Sequence, residues 1–423
     1  MVSGTGLWPS ANIARIETSA FAFATDLVDE GMAAVLDNVA GRAGLSGITM
    51  AAAYHHGRDI FPHNPKRKVH FLEGGAVFFR PDRRRYLDTG VQPVVSSLCE
   101  KTDVLADLCR EGATRGLGVR AWTVFLHNYT LGEAHPELTC RNVFGDRHLT
   151  DLCPSNPRVR AYVTALTADI ASKGVASVVA ESLHFHGLEH GFHHERYFIE
   201  LGALGRYLLG LCFCEHCVAA AERHGVRAER LAEEARRELE RRLAGQPPPE
   251  AAELDRESVA AFAQGELGGY REARAQTVAS LVREAADAAK PEGAAFAFID
   301  LSGAVKGYAT GRPTGEAAPA IAWQFGIDVG KVAAACGQVE AIGYAADPQR
   351  LRFDLDAYRS IVGANRLSVI VRPMPPDCES ADNLAAKLTI AREAGAVEAG
   401  FYHYGFMRLE SLDLIRSAME AAR

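Results

Sequence analysis

The sequence predicts a (β/α)8 barrel, an α/β fold, from three observations: eight short apolar runs, amphipathic segments between them, and polar residues closing the runs. In chain order the runs are 20–24, 47–53, 119–126, 175–180, 294–299, 339–345, 367–371 and 397–402, each rich in Val, Ile, Phe or Ala. Apolar runs alternating with helical segments are the pattern of parallel strands joined by crossover helices. The closing residues are Asp26, then Tyr54 with His55 and His56, His127 with Asn128, Glu181, Asp300, Asp347, Arg372 and His403. A barrel of this type carries its site at the C-terminal ends of the strands, so these residues are expected around one mouth. A doubly wound open sheet is the competing architecture, but no Gly-rich phosphate turn follows the first run.

Two excursions interrupt the pattern. Segment 56–84 is a long connection holding Phe61, His63, His70, Phe71, Phe78, Phe79 and Arg80, and it is expected to fold over the mouth. Segment 181–292 contains an Ala, Glu, Arg and Leu-rich helix over 218–244, a stop at Gln246-Pro247-Pro248-Pro249, and further helix over 258–289. The division that follows is 1–217 for the first half of the barrel, 218–292 for a helical insertion, and 293–423 for the second half. The charged run 227–242 mixes both signs and reads as a solvated helix face.

Composition narrows the function. The 423 residues are 48% hydrophobic and 23% charged, enough for a substantial core. A net charge of −7 offers no general attraction to nucleic acid or to an anionic membrane surface. The first twenty residues, with Trp8, Pro9, Asn12, Arg15 and Glu17, lack the basic start and apolar run of a secretion signal. With no apolar stretch of membrane-spanning length, the expectation is a cytoplasmic protein. Nine cysteines, an odd number, fit free or metal-bound thiols better than a disulfide framework.

Their clustering is informative. Leu211-Cys212-Phe213-Cys214-Glu215-His216-Cys217 presents three thiols in six residues, a spacing that lets one turn aim three sulfurs at a point. Zinc takes four ligands in a tetrahedron. Cys153 is favoured as the fourth, because it sits where a helix over 158–172 begins and the helix dipole assists a thiolate; Cys140, His216 and His224 are the other candidates. A closed four-thiolate site is structural, pinning the insertion to the barrel, whereas a catalytic zinc keeps a position open. The bland alternative is a set of buried free thiols.

The run Phe144-Gly145-Asp146-Arg147-His148, then Cys153-Pro154-Ser155-Asn156-Pro157, a helix, a strand ending in Glu181, and the Cys-x-Cys-x-x-Cys segment resembles the zinc-bearing barrel of glycoside hydrolase family forty-two, the bacterial β-galactosidases. The resemblance covers about 144–217. It implies Cys153, Cys212, Cys214 and Cys217 as zinc ligands, Glu181 as general acid/base, and Arg147 beside the substrate. Two departures stand out: Ala180 occupies the place of the family's Asn, and the seventh strand ends in Val371-Arg372-Pro373-Met374 without the family's glutamate. The chain is thus a distant relative, and β-galactosidase specificity does not carry over.

Glycoside hydrolysis commonly uses two carboxyl groups flanking the scissile bond. Glu181 is the expected acid and Asp300 the expected partner, with Asp347 and Asp26 behind it. Tyr54, His55, His56, His127, Asn128, Arg147, Trp323, Asp347, Arg372 and His403 are the expected sugar-binding residues, with Tyr54, Trp323 and Tyr402 as stacking faces. His184, His186, His190, His193 and His194 crowd the segment after Glu181. Imidazoles so placed also suit a catalytic metal, which makes a metal-dependent sugar isomerase, epimerase or lyase the second reading. A catalytically silent barrel that binds a carbohydrate or a partner protein is the third. The expected ligand is a small carbohydrate or glycoside, and related barrels assemble as homo-oligomers through inserted subdomains.

Overall fold

The computed structural model describes residues 16–188, 196–246 and 254–422. Histidines 190, 193 and 194 and the proline run after Gln246 lie outside the described residues. Eight parallel strands close into a barrel: β1 (Glu17–Ala22), β2 (Gly47–Tyr54), β3 (Gly118–Val124), β4 (Ser177–Glu181), β5 (Ala295–Asp300), β6 (Gln338–Ile342), β7 (Arg366–Val371) and β8 (Ala396–Phe401). Each pairs in parallel with the next, and β1 pairs with both β2 and β8, so the ring is complete. Every expected strand is present. The first lies about two residues earlier than expected, because Phe23 caps a helix at Ala24–Glu30 whose third residue, Asp26, turns its carboxylate back onto the Phe23 N–H at 2.8 Å.

The strands are buried on both faces because helices cover the outside and side chains fill the lumen. The helices start where the sequence supplies caps: Asp103 before Val104–Thr114, Asn156 before Pro157–Ala171, Asp347 before Pro348–Val362 and Ser380 before Ala381–Glu393. Close packing leaves no slack inside. A Cβ on Gly400 of β8 would meet the Phe21 ring at 2.6 Å.

The lower lumen is polar. Arg120 on β3 donates to Glu340 on β6 and to Glu398 on β8, while Ser19 on β1 donates to Glu398 at 3.1 Å and Thr49 on β2 donates to Ser19 at 2.9 Å. Burial pushes the Glu398 carboxyl up to about 7, against the pull of Arg120.

Between β4 and β5, helices Gly202–Leu209, Glu215–Arg223, Ala228–Leu243 and Arg256–Ala261 precede the long helix Glu266–Ala289, which packs on Pro157–Ala171, Val329–Cys336 and β5 as well as on Glu215–Arg223 and Arg256–Ala261. The segment after β2 forms a hairpin, Gly57–Ile60 with Val69–Leu72, followed by Ala76–Val77, which adds an antiparallel edge to β2. Among the described residues no helix is long and apolar enough to cross a membrane.

Candidate active site and thiolate clasp

Alternation along the strands decides what reaches the mouth. Arg120 faces the lumen, so Trp122, two residues on, does too, and Glu181 closes the neighbouring strand beside it. The Trp122 indole N–H donates to the Glu181 carboxylate at 2.5 Å. Burial raises the Glu181 carboxyl to about 7, and the Trp122 bond and nearby His127 hold it from rising further. An acid with this affinity is divided between its two forms near neutral pH, as a proton donor and acceptor must be.

Aromatic rings wall the acid. Tyr54 lies 4.6 Å from Trp122 between ring centroids and 4.9 Å from Phe23; Tyr402 lies 5.8 Å from Trp122 and 5.7 Å from Tyr344. Arg372 at the end of β7 stacks 4.3 Å over Tyr344 and 5.3 Å over Tyr308, fixed by two bonds to Asp377 at 2.6 and 2.7 Å. Asp59, on the hairpin after β2, is raised to about 6 by burial. Its charge and that of Glu181 act on the same two phenols, Tyr54 and Tyr308.

The expected residues therefore sort into groups. Glu181, Tyr54 and Arg372 join one aromatic cluster. His55 stacks on Tyr54 at 4.3 Å and meets His127 edge-on at 5.1 Å; burial, and then the neighbouring His127, lower it to about 3, so it is neutral. His403 is fully buried, its ring 4.1 Å from Phe23, and its Nδ1 accepts the Gly405 N–H at 3.1 Å, which places it beneath the mouth as a neutral wall. His56 is exposed, with its ring 6.2 Å from Tyr129.

Others are held elsewhere. Asp300 is one residue out of phase with the lumen-facing Ile299: it accepts from Tyr358 at 2.8 Å and from the Ser302 hydroxyl at 2.6 Å, facing the outer helices. Asp347 is an exposed helix cap bonded to the Gln349 N–H at 2.9 Å. Asn128 caps Tyr129–Ala134 through Leu131 N–H at 2.9 Å and reaches Gly75 O at 3.3 Å. Trp323 packs 5.5 Å from Tyr207 and under Arg271 at 5.7 Å, in a surface cleft beside Glu266–Ala289. Arg147 donates to Thr139 O at 3.4 Å within the hairpin Thr139–Arg141 and Arg147–Leu152. Trp122, Tyr308, Tyr344 and Asp59 were missed by looking only at strand ends; the parity of Trp122 with Arg120 was the available signal.

The four cysteines named from the sequence converge. Cys153 Sγ lies 3.6 Å from Cys214, 3.5 Å from Cys217 and 3.9 Å from Cys212, and all four are buried. These separations exclude disulfides, which need about 2.05 Å. They match the edge of about 3.8 Å that a tetrahedron with zinc–sulfur bonds of ~2.3 Å has. Arg141 N–H donates to Cys212 Sγ at 3.3 Å, and the Cys217 thiol donates to the Ser155 hydroxyl at 3.3 Å. The clasp joins the hairpin to the chain entering Glu215–Arg223, and Tyr270 of the long helix donates to Cys212 O.

No protein-family model and no curated sequence matches the chain. Among solved structures, the fold is similar to a β-galactosidase from the psychrophilic Marinomonas ef1, with a TM-score of 0.52 and 13% identity over 96% of this chain and 59% of that one. It is also similar to α-L-fucosidase isoenzyme 2 from Paenibacillus thiaminolyticus, with a TM-score of 0.52 and 12% identity over 96% of this chain and 49% of that one. The chain thus spans about half to three-fifths of these proteins, and what it shares with them is the (β/α)8 barrel fold.

Proposed function

We propose that this protein is a glycoside hydrolase-like enzyme that acts on a carbohydrate at the C-terminal mouth of the barrel, with Glu181 as general acid/base. The observation that carries the reading is the Glu181 carboxyl, raised to about 7 by burial, bonded to Trp122 and walled by Tyr54, Tyr344 and Tyr402. Aromatic faces bind the apolar faces of sugar rings, and the phenols and the Arg372 guanidinium can donate to hydroxyls. In such a reaction Glu181 gives its proton to the departing glycosidic oxygen while a second carboxylate meets the anomeric carbon or activates water.

Asp300 cannot fill that second role from its outward position. Asp59 takes its place in the reading, since its charge and that of Glu181 both act on Tyr54 and Tyr308 and burial raises its carboxyl to about 6. Cys153, Cys212, Cys214 and Cys217 hold a structural zinc in this reading: four thiolates fill the shell and leave no position for substrate. The bound metal would supply folding energy and fix the hairpin; chemistry falls to the carboxylates.

The test is turnover of a panel of aryl glycosides by the parent and by Glu181→Gln. Release of the aryl group by the parent and its loss in the variant support the assignment. Full activity in the variant would remove Glu181 from the role.

A further inference from the structure

Beside the mouth is a second group of metal-type donors, separate from the cysteines. His127 follows β3, Asp151 lies on the hairpin strand Arg147–Leu152, and His186 follows β4. Backbone pairing sets the first two against each other: Asn128 N–H donates to Thr150 O at 2.8 Å and Leu152 N–H to Leu126 O at 2.9 Å, making His127 and Asp151 an antiparallel bridge. In that arrangement the paired residues exchange no bonds themselves and their side chains stand close. Phe125 N–H to Glu181 O at 3.0 Å and Leu126 N–H to Ser182 O at 3.2 Å extend the β3 and β4 pairing, which brings the segment bearing His186 alongside.

Asp151 Oδ1 lies 3.6 Å from His127 Nδ1 and 3.3 Å from His186 Nδ1, and one donor atom from each residue falls within 4.8 Å of the others. A charge-assisted bond between a ring N–H and a carboxylate closes to about 2.7–2.9 Å, and neither pair does so. Two ligands on one ion with bonds of ~2.0–2.1 Å stand about 3.3 Å apart in a tetrahedron. The His186 separation is that of co-ligands, and His127 stands slightly farther out on the same oxygen. All three residues are buried, and both imidazoles face the same carboxylate oxygen. Further imidazoles surround them: His148 Nδ1 is 3.9 Å from Asp151 Oδ2, and the His184 ring is 4.9 Å from that of His186.

We propose that His127, Asp151 and His186 bind a divalent transition metal, zinc in the first instance, at a three-ligand site with an open position beside the mouth. Two imidazoles and one carboxylate are a borderline donor set suited to zinc, with iron(II) or cobalt(II) as competent substitutes. The open position takes water or an oxygen of a bound molecule. The site stands apart from the glycosidase reading, because ion binding requires neither Glu181 nor turnover.

Cobalt(II) provides the test, since its visible spectrum separates ligand types. Protein freed of metal by a chelator is titrated with cobalt(II), and thiolate-to-cobalt charge transfer reports the cysteine clasp while d–d bands without it report a nitrogen and oxygen site. The expected result is an equivalent of cobalt whose spectrum lacks thiolate character. Asp151→Asn and His186→Gln should each lose that equivalent while keeping any thiolate-bound metal, which also certifies the fold. Glu181→Gln should keep it. Binding confined to the thiolates, or a nitrogen and oxygen spectrum that persists in both ligand variants, would overturn the proposal, whatever the glycoside assays give.

Discussion

The indole N–H of Trp122 meets the carboxylate of Glu181 at 2.5 Å, so a residue inside β3 tempers the proton affinity that burial gives the residue ending β4. The bond favours the ionised form and opposes the upward push of burial. Glu181→Gln is expected to lower kcat by about 10²–10⁴-fold, the usual worth of a positioned acid or base, as measured on an activated glycoside.

The pH profile follows from the same pair. A general acid must carry its proton, so kcat/KM should fall as pH rises through about 7, where Glu181 ionises. Trp122→Phe removes the donor to the ionised form, raises the carboxyl further, and should move that alkaline limb to higher pH. A limb that stays in place in the variant would show that another group sets it.

Asp59 and Asp300 separate by kind of effect. Asp59→Asn is expected to reduce kcat by about 10²-fold or more with little change in melting temperature, because the hairpin it occupies is partly solvated. Asp300→Asn should leave kcat near that of the parent and destabilise the fold by about 1–3 kcal/mol, since Tyr358 and Ser302 lose a carboxyl acceptor. Denaturant unfolding and initial rates on both variants check the pair.

Removal of one sulfur should be felt as folding. If the four thiols hold zinc as proposed, Cys217→Ser is expected to lose one zinc equivalent and to lower Tm by several degrees, read by metal analysis and calorimetry.

Stability should also depend on pH through Glu398. Its folded value of about 7 exceeds the ordinary 4.5, so between these values the folded chain holds a proton the unfolded chain has released. Stability from this group is therefore greatest at low pH and declines as pH rises from 4.5 to about 7. Glu398→Gln should flatten that slope in thermal melts taken across the range.

The barrel was legible in the sequence because parallel strands buried on both faces leave continuous apolar runs, and 47–53 and 367–371 each matched a strand almost residue for residue. The convergence of the four thiols was legible because three of them, Cys212, Cys214 and Cys217, crowd one turn. The site was harder to read. Asp300 ends β5 as expected, yet one step of alternation turned it outward, and no run of letters gives the phase of a strand buried on both sides. Asp347 followed by Pro348 is a helix-start signal as much as a strand-end one, and the cap prevailed. Trp323 was chosen for its chemistry alone, and its loop carried it to another surface. Asp59 and Asp151 depend on hairpins whose placement is tertiary, so their neighbours lie far away in the chain.

The guanidinium that Arg120 inserts between Glu340 and Glu398 has a consequence for how this lineage can change. Replacing Arg120 alone strands two acids, and replacing either acid alone shifts the charge left on its companions. Segments 118–124, 338–342 and 396–401, remote from one another in the chain, are bound to drift together, and homologues should show the three sites either all kept or all exchanged for apolar residues.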